Sequence, residues 1–322
     1  MPGRFPILYV AEADPDLAVM SSGVLAYLVE VMPQADFTIV GSPASAPLFA
    51  DTPHLTKLLV LDKESRLDWI KLWDQVRHTK WGLVVDMRGS ALANKLKRGK
   101  RAVRGKDVPG VHHVDAAARA LMLDEVPPPR LFTGDETEAA AAELIPAGEG
   151  PILAVGPGAE WVGKQWPPDR FVKVAAALLA SDGPMTGGRL MLVGAADTDR
   201  EAIQTVRSAV PRDRMIDLHG RLTPLQTVAA LRRADLYIGN DSLWTQLAVA
   251  AGVPTVAAFG PSDEAVRGPW GGVTIRGPRS LDEFRALDPN LNQQLNHMID
   301  VPADRVLKAA RTLLASRADG GV

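Results

Sequence analysis

Short, unbroken apolar runs recur along this chain, and most are followed by a stretch whose apolar residues return every three to four positions. ILYVA (7–11), FTIVG (37–41), LLVLD (58–62) and LVVDMRG (83–89) read as strands. Their Val, Ile and Leu are continuous rather than alternating, as expected for strands buried on both faces of a parallel sheet. Residues 18–32, ending before Pro33, and 66–78 carry helical spacing.

The rhythm breaks at 125–151. EVPPPR predicts a rigid extended linker, 135–144 a helix, and PAGEGP (146–151) a Pro/Gly hinge. Alternation then restarts with strands at 152–158, 189–195, 215–220 and 236–241, interleaved with helices at 168–180, 199–208 and 224–233. A closing helix is expected over 302–316. Each half is thus a set of βα units, which predicts an α/β protein of two doubly wound, Rossmann-like domains with a cleft between them. The expected domains are 1–148 and 149–322, with the last helix free to pack back on the first domain. No solenoid-length repeat or low-complexity tract interrupts the pattern.

Length and charge narrow the picture. A chain of 322 residues can build two cores. A net charge of −2 argues against nucleic acid as a partner. The absence of cysteine removes disulfides and thiolate metal sites and fits a reducing cytosol. MPGRFPILYV has one Arg before an apolar run too short for a secretory signal, so none is expected. Ser242 to Ser262 carries no charge, but Gln246, Gly252 and Pro254 suit a buried helix-turn-strand better than a membrane span.

The richest local chemistry is GNDSLWTQLAVAAGVPTVAAFGPSDE (239–264). An apolar strand enters Gly239-Asn240-Asp241-Ser242, an Ala-rich helix follows, and Gly252-Val253-Pro254 turns into a second strand. Asp241 or Ser242 is expected to cap the helix, aiming its free N–H groups at the carboxyl edge of a parallel sheet, where a phosphate is favoured. Residues 156–168 read GPGAEWVGKQWPP. Gly158 to Lys164 matches the start of a P-loop, but Gln165 replaces the magnesium-binding hydroxyl and Trp166-Pro167-Pro168 delays the helix. What survives is a Gly-rich turn bearing a phosphate-reaching Lys. Glu12, Asp14 and Asp16 follow the first strand and supply either a general base or a capping loop. The basic run Lys95–Lys106 reads either as a solvated helix face and loop or as a dock for a polyanionic acceptor or anionic leaflet. In a strand, His112 and His113 would point to opposite faces and could not chelate one ion; no metal-ligand spacing is present.

In sum these motifs resemble the bacterial heptosyltransferases, GT-B glycosyltransferases that build the lipopolysaccharide core from ADP-heptose. The resemblance runs over nearly the whole chain. It is carried by Pro157-Gly158 with Lys164-Gln165-Trp166-Pro167 and Arg170-Phe171, by Val193-Gly194 and Gly220-Arg221, and by Gly239-Asn240-Asp241-Ser242 with Gly252-Val253-Pro254-Thr255 and Phe259-Gly260-Pro261. It implies a donor in the C-terminal domain, an acceptor against the N-terminal one, and inverting transfer without a metal or cofactor. Donor binding is then expected at Gly158, Lys164, Gly239, Asn240, Asp241 and Ser242, with Asp16 or Asp14 as base and Lys164 on the leaving phosphates. The partners implied are a nucleotide sugar and a glycolipid or glycan acceptor, in the cytoplasm or peripherally at the inner membrane. Three positions depart from the family pattern: Leu17 where the base Asp is usual, Leu243 where Gly follows Asp-Ser, and Gln246 where His is usual. A second reading follows from them, a degenerate homologue that binds nucleotide sugars or acts as a scaffold.

Overall fold

The computed structural model describes residues 4–63, 65–195 and 197–319. The chain divides into two compact units, Met1–Gly134 and Asp135–Val322. The first unit contains β1 (Phe5–Val10), α1 (Pro15–Met20), α2 (Ser22–Val31), β2 (Ala35–Gly41), β3 (Leu55–Val60), α3 (Arg66–Val76), β4 (Trp81–Asp86), β5 (Arg98–Val103) and α4 (His113–Ala120). Its strands form one parallel sheet in the order β3-β2-β1-β4-β5. Tyr9, Val10, Phe37, Ile39, Val84 and Val85 are fully buried in it, which is why these strands read as continuous apolar runs.

The second unit opens with α5 (Asp135–Glu143), β6 (Ile152–Gly156), α6 (Pro168–Leu179), β7 (Arg189–Leu192), α7 (Arg200–Val206) and β8 (Met215–Asp217). It continues through α8 (Pro224–Leu231), β9 (Leu236–Asn240), α9 (Leu243–Ala250), β10 (Thr255–Phe259), α10 (Glu264–Arg267), β11 (Val273–Arg276), α11 (Leu281–Leu287) and α12 (Ala303–Asp319). Its sheet is also parallel, in the order β11-β10-β9-β6-β7-β8. Strand order reverses between β1 and β4 in one sheet and between β6 and β9 in the other. Open α/β sheets hold ligands at the carboxyl ends beside such a reversal. The loops after β1, β4, β6 and β9 are therefore the ones to read for function.

Several segments differ from expectation, each for a tertiary reason. The units divide before α5 rather than at the 146–151 hinge, because Glu138 of α5 pairs with Arg232 (2.7 Å) and Arg233 (3.5 Å) beside α8. The closing helix α12 packs on the second sheet: Val306 and Ala310 are buried in its core, and Lys173 of α6 reaches Asp304 at 2.8 Å. EVPPPR forms no helix or strand, as an extended segment should, but it lies within the first unit, where the carbonyl oxygens of Pro127 and Pro128 come within 2.4 Å of where a Cβ on Gly23 would stand. The helix expected over 18–32 breaks at Ser21, where the hydroxyls of Ser21 and Ser22 turn back on the carbonyls of Ala18 (3.3 Å) and Val19 (2.6 Å).

The basic run is a helix face or loop only at its ends, with Lys95 closing a 3-10 turn and Arg104 and Lys106 in a loop. Its centre is β5, paired on one side with β4 (Leu83 with Lys100, Val85 with Ala102) and lying at the edge of the sheet. Charged side chains on an edge strand oppose edge-to-edge aggregation. They also hide its strand character from a reading by apolar pattern. His112 and His113 sit in no strand: His112 caps α4 through its Nδ1, which accepts from Val114 N at 3.3 Å, and His113 opens the helix.

Candidate functional site

At the carboxyl edge of the second sheet, β6 runs into Pro157-Gly158 and the chain reaches Lys164 on a single 3-10 turn, Val162–Lys164. Lys164 Nζ lies 2.7 Å from Glu160 Oε1 and 2.9 Å from Asp241 Oδ2, the latter at the end of β9. The lysine side chain is 13% exposed and that of Asp241 2%, whereas Glu160 is 58% exposed. Burial alone would push the lysine pKa down. The charges and hydrogen bonds of Asp241 and Glu160 outweigh it and hold the ammonium above the ordinary lysine value. The sequence thus presents a fixed cation whose proton is secure at neutral pH.

Asn240 is the brace of this edge. Its side chain accepts from Trp166 N (3.0 Å) and donates to the carbonyls of Pro157 (2.7 Å) and Gly158 (3.3 Å), locking the loop after β6 to the end of β9. With these bonds made and no exposure, it holds the site's shape instead of offering a group to a ligand. Gly158 and Gly239 are packing glycines. A Cβ on Gly158 would stand 1.9 Å from the Asp199 carboxyl carbon, and one on Gly239 would stand 2.3 Å from the Tyr237 hydroxyl. Ser242 occupies the N-cap position of α9 but makes no side-chain capping bond. Thr245 and Gln246 N–H bond back to its carbonyl, leaving the N–H groups of Leu243 and Trp244 at the mouth of the helix. Lys164, Asp241 and Ser242 are therefore brought together, while Gly158, Gly239 and Asn240 shape the surround.

The first sheet gathers its acids at its own carboxyl edge. Glu12, buried, is claimed by Arg104 Nε at 2.7 Å, with His113 Nε2 at 3.5 Å. Asp14 is the N-cap of α1, accepting from Asp16 N (2.8 Å) and Leu17 N (3.3 Å). Asp16 lies in the first turn of α1 and is 8% exposed. A fourth carboxyl that the sequence reading passed over, Asp86, ends β4 directly across the reversal. Burial pushes its pKa up, against hydrogen bonds from Ser90 and from the Arg88 N–H that lower it. An apolar strand ending in Asp was visible in LVVDMRG; that it would be fully enclosed was not.

Among the described residues, no cluster of three or more His, Asp or Glu is placed to hold a metal ion. Nor, among the described residues, is any helix long and apolar enough to cross a membrane. Residues 60–277, more than half of the chain, match the model of glycosyltransferase family 9 (heptosyltransferase). The chain belongs to this heptosyltransferase family. It is 27% identical over 182 residues to lipopolysaccharide heptosyltransferase 3 of Escherichia coli, covering 55% of this chain and 52% of that one. It is 29% identical over 119 residues to lipooligosaccharide heptosyltransferase 2 of Haemophilus influenzae, covering 36% and 33%. The aligned stretches thus span a third to a half of these relatives' lengths. The solved E. coli ADP-heptose LPS heptosyltransferase II superposes with a TM-score of 0.73 over 98% of this chain and 100% of that one, at 19% identity, and so shares the GT-B fold. Against that fold the heptosyltransferase-family departures take physical form. Leu243 starts α9 at its open end, and Gln246 is buried with its amide donating to the Arg267 carbonyl at 3.0 Å.

Proposed function

We propose that this chain moves a heptosyl-type sugar from an ADP-linked donor to a hydroxyl of a lipopolysaccharide-core or related glycan, inverting the anomeric carbon and using neither metal nor cofactor. The observation that carries this reading is the pairing of half-buried Lys164 with buried Asp241 beside the N-terminus of α9, at the reversal of the second sheet. In such a transfer the acceptor oxygen attacks the anomeric carbon from the face opposite the donor diphosphate. The C–O bond to the diphosphate breaks with its electron pair, and the acceptor proton passes to a base. The leaving group gains negative charge, and a cation and helix N–H groups already in place stabilise it without reorganising. In this reading a diphosphate oxygen displaces Glu160, whose side chain is exposed beside Lys164, while Asp241, enclosed, stays and keeps the lysine charged. The ADP-linked donor is favoured by the likeness to the E. coli ADP-heptose LPS heptosyltransferase II.

For the base we propose Asp16, with Asp14 in reserve, since both stand at the carboxyl edge of the first sheet. Asp16→Asn is expected to abolish transfer while ADP binding, read by calorimetry, stays within twofold of the parent. Transfer surviving in both Asp16→Asn and Asp14→Asn would overturn the assignment. ADP binding with no transfer by the parent chain to any heptose-accepting glycan would instead favour a nucleotide-sugar-binding homologue. The Lys95–Lys106 run is proposed to meet the anionic acceptor or the anionic inner leaflet that carries it. Lys97→Glu with Arg101→Glu is expected to lower flotation with anionic vesicles, most strongly at low salt. Equal flotation of parent and variant would leave the run as a guard of the sheet edge.

A further inference from the structure

Residues 288–301 join α11 to α12 and lie beyond the stretch that matches the family model. They form no helix or strand, yet they are tied to the lysine loop along its length. Trp161 Nε1 donates to the Gln293 carbonyl at 2.9 Å, and Asn296 Nδ2 donates to the Gln165 carbonyl at 3.0 Å. Just downstream, Trp166 Nε1 donates to the Val301 carbonyl at 2.9 Å. Those anchors fall three residues before Lys164, one after it and two after it. Between them the loop has one 3-10 turn and a glycine, Gly163, over which the Trp161 ring lies.

The segment is itself pinned from behind. Asp288, fully buried, accepts from Gln293 N at 2.9 Å and faces His297 Nε2 at 3.5 Å. The His297 ring is held between Trp161 (centroids 5.5 Å apart) and Phe284 (5.4 Å). Arg279 grips both Asp300 (2.6 Å) and the His297 carbonyl (2.8 Å). A buried acid and a buried imidazole that transfer chemistry does not use are thus spent on the shape of this strap.

We infer that residues 288–301 are a positioning strap for Lys164. Asp288 and His297 fold the strap, and Trp161 and Asn296 pass its rigidity to the lysine loop. Asp241 holds the ammonium at the tip of the side chain; the strap fixes the backbone at its root. The consequence for catalysis, that the strap sets where Nζ meets a donor diphosphate, rests on the donor-site reading above. A long, rotamer-rich cation contributes most when both ends are fixed beforehand.

Two measurements on Asn296→Ala and Trp161→Phe decide it. The first needs no nucleotide: acetylation of Lys164 by an activated ester, followed by peptide mass spectrometry with Lys173 as internal control. Loosening the strap is expected to raise the Lys164 rate about fivefold, the scale of one lost neutral hydrogen bond. The second is ADP affinity by calorimetry. Each variant is expected to bind about fivefold more weakly than the parent, and the loss is expected to vanish when Lys164 is already Ala. An unchanged acetylation rate overturns the strap, and so does an ADP loss of equal size with and without Lys164. If the parent chain binds no ADP, the donor reading fails and the acetylation arm alone decides the strap.

Discussion

Lys164 shows how much a single side chain owes to its surroundings. The sequence gives a lysine in a Gly-rich turn; the fold gives it two carboxylates of very different exposure. Removing its charge while keeping its stem, as in Lys164→Met, leaves Asp241 enclosed and unpaired. We expect a loss of about 3 kcal/mol, read by urea denaturation, because breaking a buried pair strands the remaining charge. Glu160→Gln, at the exposed side, is expected to cost under about 0.5 kcal/mol in the same experiment. The pH dependence follows from the sign of the shift. Because the folded lysine holds its proton more tightly than the unfolded one, the pair's stabilisation is fully present below the ordinary lysine range. It is lost only as pH rises through the elevated value. ADP affinity should therefore stay flat between about pH 7.5 and 9.5, where an ordinary buried lysine would already be losing charge. A fall across that window would contradict the pairing. Asn240 carries the opposite lesson: a polar residue in a ligand-like motif can be consumed entirely by the protein.

At the scale of elements, most strands were legible and the breaks were not. Val, Ile and Leu runs mark β1, β2, β4, β6, β7, β9 and β10 because both faces of a parallel sheet are covered. β5 and β11, each at an edge of its sheet, were hidden: an edge strand needs only one ladder, and β5 carries Arg98, Lys100 and Arg101 while β11 is only Val273–Arg276. The division of α1 from α2 came from the serine hydroxyls and from the close approach of the 125–130 segment, whose partner is a hundred residues away. That contact makes a test. Gly23→Ala would push a Cβ against the Pro127 and Pro128 carbonyls, which are backbone and cannot swing aside. We expect a loss of about 1–3 kcal/mol in urea denaturation, the usual scale of overpacking. Gly105→Ala, with nothing within 4 Å of the new methyl, serves as control and is expected to leave stability unchanged. Equal effects would mean the 125–130 segment gives way freely.

For the molecule as a whole, two sheets with the same reversal of strand order place four loops where ligands gather. ADP at a hundredfold excess over its dissociation constant should add about 2.7 kcal/mol to the state that binds it. Amide exchange is expected to slow most in residues 157–166 and 239–246; slowing elsewhere without those segments would relocate the donor site. The sequence by itself determined the alternation of strand and helix, the two-unit plan, the family motifs and the residues worth testing. Those are local properties, written in apolar periodicity, caps and turn chemistry. Tertiary structure alone decided which polar groups are spent within the protein and which remain for a ligand. It closed Asp86 off, set Asn240 as a brace, claimed Glu12 for Arg104 and tied the lysine loop to a segment 131 residues downstream. Burial and pairing depend on what distant segments bring to a position, and no window of sequence around that position contains them.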